Sequence, residues 1–384
     1  MEIRDVTADD LDAVLDLRKR SFGPLSAGDV ATFRKMVHPT LAAGRYLGAF
    51  EGGRLAAAAR LRPFTQWWHG RPQPMSGVAG VTVSPEDRGR GVGSLIMRAV
   101  IERAAVLGDA VSALYPATTP LYRSLGYEHA GAQHRVTLPA ESLRTIRPAG
   151  NVRLRRMGPD DAAEVIALLH RLYAASRASG PISWGEGIWR LWLAEEDDFL
   201  YLADDGFAVY RWDGQDIEVD NVVAGSVETA GALWSLVGTS SSVAKRVKAV
   251  VAPDDPVLWL LRERSKETAE QVRWMFRVID LVEAVARRGW PAALNAAAVV
   301  RVEDPLRAGN AGLWRLEFAG GSGAATRETG EAGAPVLSAN GFSALYAGVP
   351  VATLRRAGLM TGDERHDEVL DAAFAARPYM LDYF

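Results

Sequence analysis

No cysteine occurs among the 384 residues of this chain, which excludes disulfides, thiolate metal sites and a thiol nucleophile. Histidine is scarce as well. There are six, no two of them at His-x-x-x-His, so no metal site is expected. His170, in the apolar run Val165-Ile166-Ala167-Leu168-Leu169-His170, reads as a helix-packing residue. No apolar run approaches the roughly 20 residues of a membrane span, and Met1-Glu2-Ile3-Arg4-Asp5 is no signal peptide. Neither sign of charge dominates: 44 Lys and Arg stand against 47 Asp and Glu, a net charge of -3. No basic stripe suits nucleic acid. The expectation is a soluble, cytoplasmic protein with two or three domains, each large enough to bury its own core.

What the chain does hold is a β-rich run, Val78-Ala79-Gly80-Val81-Thr82-Val83, that ends at Ser84-Pro85. The loop Arg88-Gly89-Arg90-Gly91-Val92-Gly93-Ser94 then opens directly into the apolar-striped Leu95-Ile96-Met97-Arg98-Ala99-Val100. That order builds a phosphate cradle. Glycines at 89, 91 and 93 let several N–H groups point one way, and a new helix adds four unpaired N–H groups and its positive dipole end. Arg88 and Arg90 add charge suited to a pyrophosphate. A P-loop would require Gly-Lys-Ser/Thr, whereas Gly93-Ser94 is followed by Leu95. A dinucleotide fingerprint would require a glycine where Ser94 stands and its first glycine at the strand end; Asp109, at the distance of a ribose contact, is weak support for it. The spacing Arg88-x-x-Gly91-x-Gly93 after Val81-x-Val83-x-Pro85 instead resembles the acyl-CoA motif of the GNAT N-acetyltransferases. The plainer alternative is a glycine-rich turn with solvated arginines.

The chain also repeats itself. Ile3-Arg4-Asp5-Val6-Thr7-Ala8-Asp9-Asp10-Leu11 and Leu154-Arg155-Arg156-Met157-Gly158-Pro159-Asp160-Asp161-Ala162 keep a constant offset through Arg4/Arg155, Asp9/Asp160 and Asp10/Asp161. Each reads as a short strand, a capping turn and an amphipathic helix. Hairpins are expected around Glu51-Gly52-Gly53-Arg54 and around Arg211-Trp212-Asp213-Gly214-Gln215. In the second copy Ala224-Gly225-Ser226-Val227-Glu228 replaces the Arg/Gly loop, a scaffold kept and a coenzyme lost. Past Gly289-Trp290-Pro291 the pattern changes. A strand at 299–302 is followed by a Gly/Ala/Glu-rich stretch from Ala319 to Pro335 that reads as a loop, then by two helices ending on Gly348 and Gly358. The tail Pro378-Tyr379-Met380-Leu381-Asp382-Tyr383-Phe384 is aromatic where termini are normally polar.

Loop, duplication and aromatic tail together resemble the Eis (enhanced intracellular survival) type of GNAT acetyltransferase, over the whole chain. The resemblance implies an α/β (α+β) chain of two tandem GNAT-like domains, the second degenerate, then a sterol carrier protein-like domain, with boundaries at 1–148, 149–288 and 289–384. It implies that acetyl-CoA is held by Val81, Thr82 and Val83 through strand backbone and by Arg88, Gly89, Arg90, Gly91, Val92, Gly93 and Ser94 through the loop, with a further contact at Ala117-Thr118. At that last place the family usually carries an acid or a serine, and this chain departs from it. Tyr122 matches the general-acid tyrosine, with Tyr127 the competing phenol. A phenol near pKa 10 facing a thiol near 8.5 leaves proton transfer uphill by roughly 2 kcal/mol. The Phe384 carboxylate matches the family's general base. Its low pKa favours collecting charge after the amine has shed its proton, through water or on desolvation.

The implied reaction is direct transfer from acetyl-CoA to a primary amine of a cationic small molecule, aminoglycoside or polyamine-like, or of a lysine side chain, in a hexameric assembly. Without cysteine, a ping-pong route through an acetylated thiol is closed. Two other readings stay open: a lipid or small-molecule binding protein with a vestigial GNAT domain, and transfer of longer acyl chains. Among 11 tryptophans, the adjacent Trp67-Trp68 pair is a candidate wall for an amine pocket.

Overall fold

The computed structural model describes residues 1–262, 266–330 and 333–384. It groups into two compact units, one of Met1–Ala130, Trp274–Ala376 and Phe384, the other of Gly131–Arg273 and Arg377–Tyr383.

The first repeat comprises β1 (Glu2–Asp5), α1 (Leu11–Phe22), α2 (Ala27–Ala42), β2 (Tyr46–Glu51), β3 (Arg54–Trp68), β4 (Arg71–Val83), α3 (Val92–Val106), β5 (Val111–Leu114), α4 (Thr119–Arg123) and β6 (Glu128–Pro139). The second comprises β7 (Arg155–Arg156), α5 (Ala162–Ala175), β8 (Ile182–Ser183), α6 (Glu186–Trp192), β9 (Phe199–Ala203), β10 (Gly206–Asp213), β11 (Asp216–Ala224), α7 (Val227–Gly238), β12 (Arg246–Val251), α8 (Val257–Leu260) and β13 (Thr268–Val278). The residues that betrayed the duplication perform the same task in both. Arg4 pairs with Asp10 at 2.7 Å, and the Thr7 N–H donates to Asp10 at 2.8 Å. Arg155 pairs with Asp161 at 2.9 Å, and the Gly158 N–H donates to Asp161 at 2.8 Å. An acid at that position ties the preceding strand to the start of the helix.

In the first unit β1, β2, β3 and β4 pair antiparallel in sequence order, and β4 pairs in parallel with β5. β5 is closed by β13, antiparallel through Ala113↔Phe276. In the second unit β7, β9, β10 and β11 follow the same order, β11 pairs in parallel with β12, and β12 is closed by β6 through Ala249↔Val136. Each repeat therefore takes its closing strand from the other repeat's stretch of sequence. Ile96, Met97, Val100 and Ile101 of α3 pack on Leu47, Ala59 and Val78 of the sheet, with Met275 and Ile279 completing the cluster. Helix α3 buries that face because its apolar residues recur at three- and four-residue intervals.

The remaining chain forms α9 (Leu281–Arg287), β14 (Ala296–Glu303), β15 (Gly312–Ala319), β16 (Ser322–Arg327), β17 (Val336–Ser338), α10 (Ala339–Tyr346), α11 (Val351–Arg356), β18 (Met360–Thr361) and α12 (Asp367–Phe374). Its strands lie in the order β16-β15-β14-β17-β18. The stretch from Ala319 to Pro335 is not wholly a loop: β16 pairs with β15 through Ser322 to Arg327, turning at Gly320-Gly321. Small residues hid an edge strand there, and Glu331 and Ala332 lie outside the described residues. Trp290, Phe318, Phe342 and Phe374 fill this part's interior, with Trp290–Phe318 centroids 4.5 Å apart and Trp290–Phe374 centroids 4.9 Å apart. Arg277 of β13 pairs with Asp304 at 2.8 Å, both of them buried.

Residues 377–383 belong to the second unit and are held residue by residue. The Tyr379 N–H donates to the Ser179 carbonyl at 3.1 Å, and the Met380 N–H to that of Ala132 at 3.3 Å. Gln133 Nε2 donates to the Leu381 carbonyl at 2.9 Å, and Trp184 Nε1 to Asp382 Oδ1 at 2.9 Å. Burial pushes the Asp382 carboxyl up to about 7. The folded state then holds a proton that the unfolded chain gives up near the ordinary carboxylate value. Stability from this residue is full below about pH 4 and is lost as pH rises through 7. Asp382→Asn, which keeps the acceptor for Trp184, is expected to raise the melting temperature at pH 8 and to flatten its decline between pH 4 and 7. Thermal melts across that range check this, and an unchanged slope would refute it.

Candidate active site

Strand β4 touches β5 for three residues only, Met75↔Val111, Ser76↔Ser112 and Gly77↔Ala113. Beyond Gly77 it continues to Val83 paired with β3 alone among the described residues. A bulge causes the parting. The β3–β4 register shifts between Ala58 and Arg60, where Gly80 adopts φ +60°, and a bulge of this kind bends and overtwists its strand. Val81, Thr82 and Val83 lie along the arm of the fork that results.

The loop at the tip of that arm has the expected anatomy. Gly89 and Gly91 adopt φ +76° and +78°, left-handed conformations that side chains resist. Gly91 is the N-cap of α3, whose first intrahelical bond runs from the Leu95 N–H to the Gly91 carbonyl at 3.0 Å. The N–H groups of Val92, Gly93 and Ser94 therefore have no intrahelical acceptor. A Cβ on Gly93 would lie 3.5 Å from Leu121 of α4, so the helix start and α4 are in near contact. The two arginines differ. Arg90 pairs with Glu51 at 3.0 Å and with Asp87, and Arg54 also reaches Asp87, at 2.7 Å. Arg54 above all, with Arg90, holds the Asp87 carboxyl below its ordinary value. Arg90 is thus braced to acids, while the exposed Arg88 only donates through Nε to the Val83 carbonyl at 3.4 Å. Asp109, the tempting ribose acid, is buried against Arg45 at 2.8 Å and accepts from Ser76. It has no free face for a ribose.

Past the other arm, Ala117 and Thr118 are exposed, and Thr118 is the N-cap of α4. Pro120 starts that helix rigidly. Tyr122 within it is buried, and no hydrogen bond to its hydroxyl is formed among the described residues. Burial first, and the nearby Tyr127, push the phenol up to about 12. Tyr127 is fully buried, with its hydroxyl 2.8 Å from Ser112 Oγ, which in turn donates to the Ser76 carbonyl at 2.9 Å. Of the two phenols, Tyr127 is tied into the strand and Tyr122 is the one with an uncommitted proton.

At the crotch of the fork sits the ring of Phe384. Its centroid lies 4.8 Å from that of Phe64 and 5.6 Å from that of Tyr115, the residue that follows β5. A Cβ on Gly77 would come within 2.8 Å of the Phe384 ring as well as striking Phe64. The seat of Phe384 therefore consists of Gly77, Phe64 and Tyr115. None of these was singled out from the sequence, although a glycine inside a strand run is the usual sign of a close approach. Of the Trp67-Trp68 pair, Trp68 is enclosed rather than open. Trp68 is fully buried, 5.1 Å from both Phe276 and Tyr346, with Arg288 over its ring at 5.4 Å.

Residues 2–130 match a family model described as an acetyltransferase (GNAT) domain, and residues 180–278 match another of the same description. Residues 281–381 match a sterol carrier protein domain. A GCN5-related N-acetyltransferase from Kribbella flavida is 44% identical, with a TM-score of 0.97 over 100% of this chain and 98% of that one. The chain belongs to the GCN5-related N-acetyltransferases. Within this family it resembles N-acetyltransferase Eis of Mycobacterium tuberculosis, at 26% identity over 325 residues, 79% of this chain and 78% of Eis. Eis1 of Mycobacterium abscessus has the same fold, with a TM-score of 0.77 at 21% identity over the full length of both chains. The chain is thus an Eis-type GNAT, an N-acetyltransferase, and its two GNAT domains and sterol carrier-like domain follow the order expected from the sequence.

Gly77→Ala tests the seat of Phe384 in this GNAT. Overpacking of this kind costs about 1–3 kcal/mol, and the variant is expected to stay folded while Phe384 is displaced. Timed digestion with carboxypeptidase, followed by mass spectrometry, should release residue 384 faster than from the parent chain; equal rates would refute the seat.

Proposed function

We propose that this enzyme transfers acetyl from acetyl-CoA directly to a primary amine of a cationic small molecule or a lysine side chain, in the fork between β4 and β5. The observation that carries this reading is the convergence on one fork of an N–H-rich glycine loop, an uncommitted buried phenol and the seated terminal residue. The pyrophosphate would take the N–H groups of Gly89 and Gly91 to Ser94, with Arg88 as its mobile cation. The coenzyme's amide chain would pair with the strand backbone of Val81 to Val83, as an added strand would, and pass Ala117 and Thr118 on the far arm. The packed aromatic interior of the sterol carrier-like part favours an enzyme over a lipid carrier.

The chemistry balances in four movements. The substrate ammonium sheds one proton to solvent on desolvation. Its nitrogen then forms a bond to the thioester carbon and gives up a second proton through water toward the Phe384 carboxylate, while the carbon–sulfur bond breaks and Tyr122 gives its proton to the departing sulfur. The carboxylate releases its proton to solvent and the phenolate regains one, leaving an amide and free thiol. A phenol at about 12 facing a thiol at 8.5 in water would be uphill by about 5 kcal/mol. The sulfur is desolvated in the same fork, and burial raises a thiol as it raises a phenol. The two therefore approach one another, and transfer accompanies carbon–sulfur cleavage rather than preceding it.

Tyr122→Phe is expected to keep acetyl-CoA affinity by calorimetry and to lower kcat by roughly 10²–10⁴, the range for a general acid. Tyr127→Phe should lose about 1 kcal/mol of stability with its bond to Ser112 and little turnover. The reverse ranking would reassign the acid. A main-chain carboxylate has no side-chain substitute, so the base is tested by length. Adding a few residues after Phe384, or deleting it, moves the charge by several ångströms where about one is tolerated. Thiol release from acetyl-CoA with a polyamine should collapse in both variants while coenzyme binding persists, and Phe384→Leu should retain far more. A C-terminally extended enzyme of full activity would remove Phe384 from the mechanism.

A further inference from the structure

The second repeat keeps a fork of its own. β11 and β12 pair only at Ile217↔Val247, Glu218↔Lys248 and Val219↔Ala249, after which 222–224 run on as 81–83 do beside β5. A cleft of about 400 Å³ occupies this place, with Tyr173, Val222, Trp234, Asp255, Tyr379 and Leu381 among its lining.

Its charge preference is inverted. Where the first fork offers N–H groups to an anion, two of those here are spent. The Gly225 N–H donates to the Asp205 carbonyl at 2.7 Å, and the Thr229 N–H to Ser226 Oγ at 3.3 Å. The Thr229 hydroxyl donates to the Asp205 carboxylate, and Glu228 stands in the first turn of α7. No Lys or Arg is among the lining residues, whereas Asp254 and Asp255 are. Asp254 pairs with the exposed Arg377 at 3.0 Å. Asp255 is buried, its Oδ1 accepts the Val257 N–H at 2.9 Å, and no Lys or Arg among the described residues pairs with the carboxyl. That burial pushes it up to about 6, as expected of a carboxylate short of a counter-ion. The Trp234 N–H, fully buried in the same wall, faces this carboxyl and tempers the rise without supplying a charge.

We propose that this second fork is a binding site for a small organic cation, with Asp255 as counter-ion and Tyr173, Trp234 and Tyr379 as its aromatic wall. A cation there supplies the charge that Asp255 lacks and meets aromatic rings that attract it. The assignment is independent of where acetyl transfer takes place.

Choline is a suitable probe, because it carries a quaternary ammonium and a hydroxyl; its neutral isostere is 3,3-dimethyl-1-butanol. Ligand-observed NMR on the full chain, without acetyl-CoA, should show saturable choline binding and binding of the neutral isostere weaker by roughly tenfold or more. Asp255→Asn keeps an acceptor for Val257 and should abolish that preference. If that variant fails to fold, Ala252→Phe, which fills the cleft, should abolish choline binding. Equal binding of choline and its isostere would overturn the assignment, as would choline binding unchanged in Asp255→Asn or, where that variant does not fold, in Ala252→Phe.

Discussion

The structure turns on the point where β4 and β5 stop pairing, Gly77 opposite Ala113. Two parallel strands that separate inside a sheet leave backbone polar groups without partners, which is costly unless something is there to use them. Everything at that place does so or holds the parting open. The Gly80 bulge turns β4 away, the missing Cβ of Gly77 admits two aromatic rings, and α3 begins where the free strand ends. The defect in the sheet is the site.

Rigidity around the fork comes from groups that never face it. Asp87 lies beneath the loop and gathers Arg54 and Arg90, so the loop's shape is set before any ligand arrives. Arg277 and Asp304, paired in the dry interior, fix β13 to the start of the third part. Such a pair adds little net stability but punishes every arrangement that would separate its members. Asp304 Oδ1 also accepts the N–H groups of Leu306 and Arg307, which adds backbone donors to an oxygen that the arginine already reaches.

Much of this was legible in the sequence. The Arg/Gly loop, the doubled Arg4/Asp10 pattern and the aromatic tail rest on local rules, turn chemistry and helix starts, that operate within a dozen residues. What could not be read depends on pairing across long separations. Nothing local in Phe276 announces a partner at Ala113, and nothing in Phe64 announces Phe384. The strand Ser322–Arg327 was hidden because Gly, Ala and Thr at a sheet edge carry almost no hydrophobic alternation. Trp68 looked like a pocket wall because its burial is decided by Tyr346, far along the chain. Arg90 looked like a free cation because Glu51 and Asp87 reach it only after folding.

The traded closing strands carry a consequence for how the chain is made. Ala113 waits for Phe276, about 160 residues later. At a ribosomal pace of roughly 5–20 residues per second, β5 spends on the order of 10–30 s as an open edge. Its fully buried Val-Ser-Ala-Leu sequence is the kind of exposed strand that recruits stray partners. Neither repeat is a module that matures alone on leaving the ribosome. The duplication that supplied a spare scaffold also bound both copies into a single event of maturation, so that later shuffling of one repeat without the other would leave two incomplete sheets.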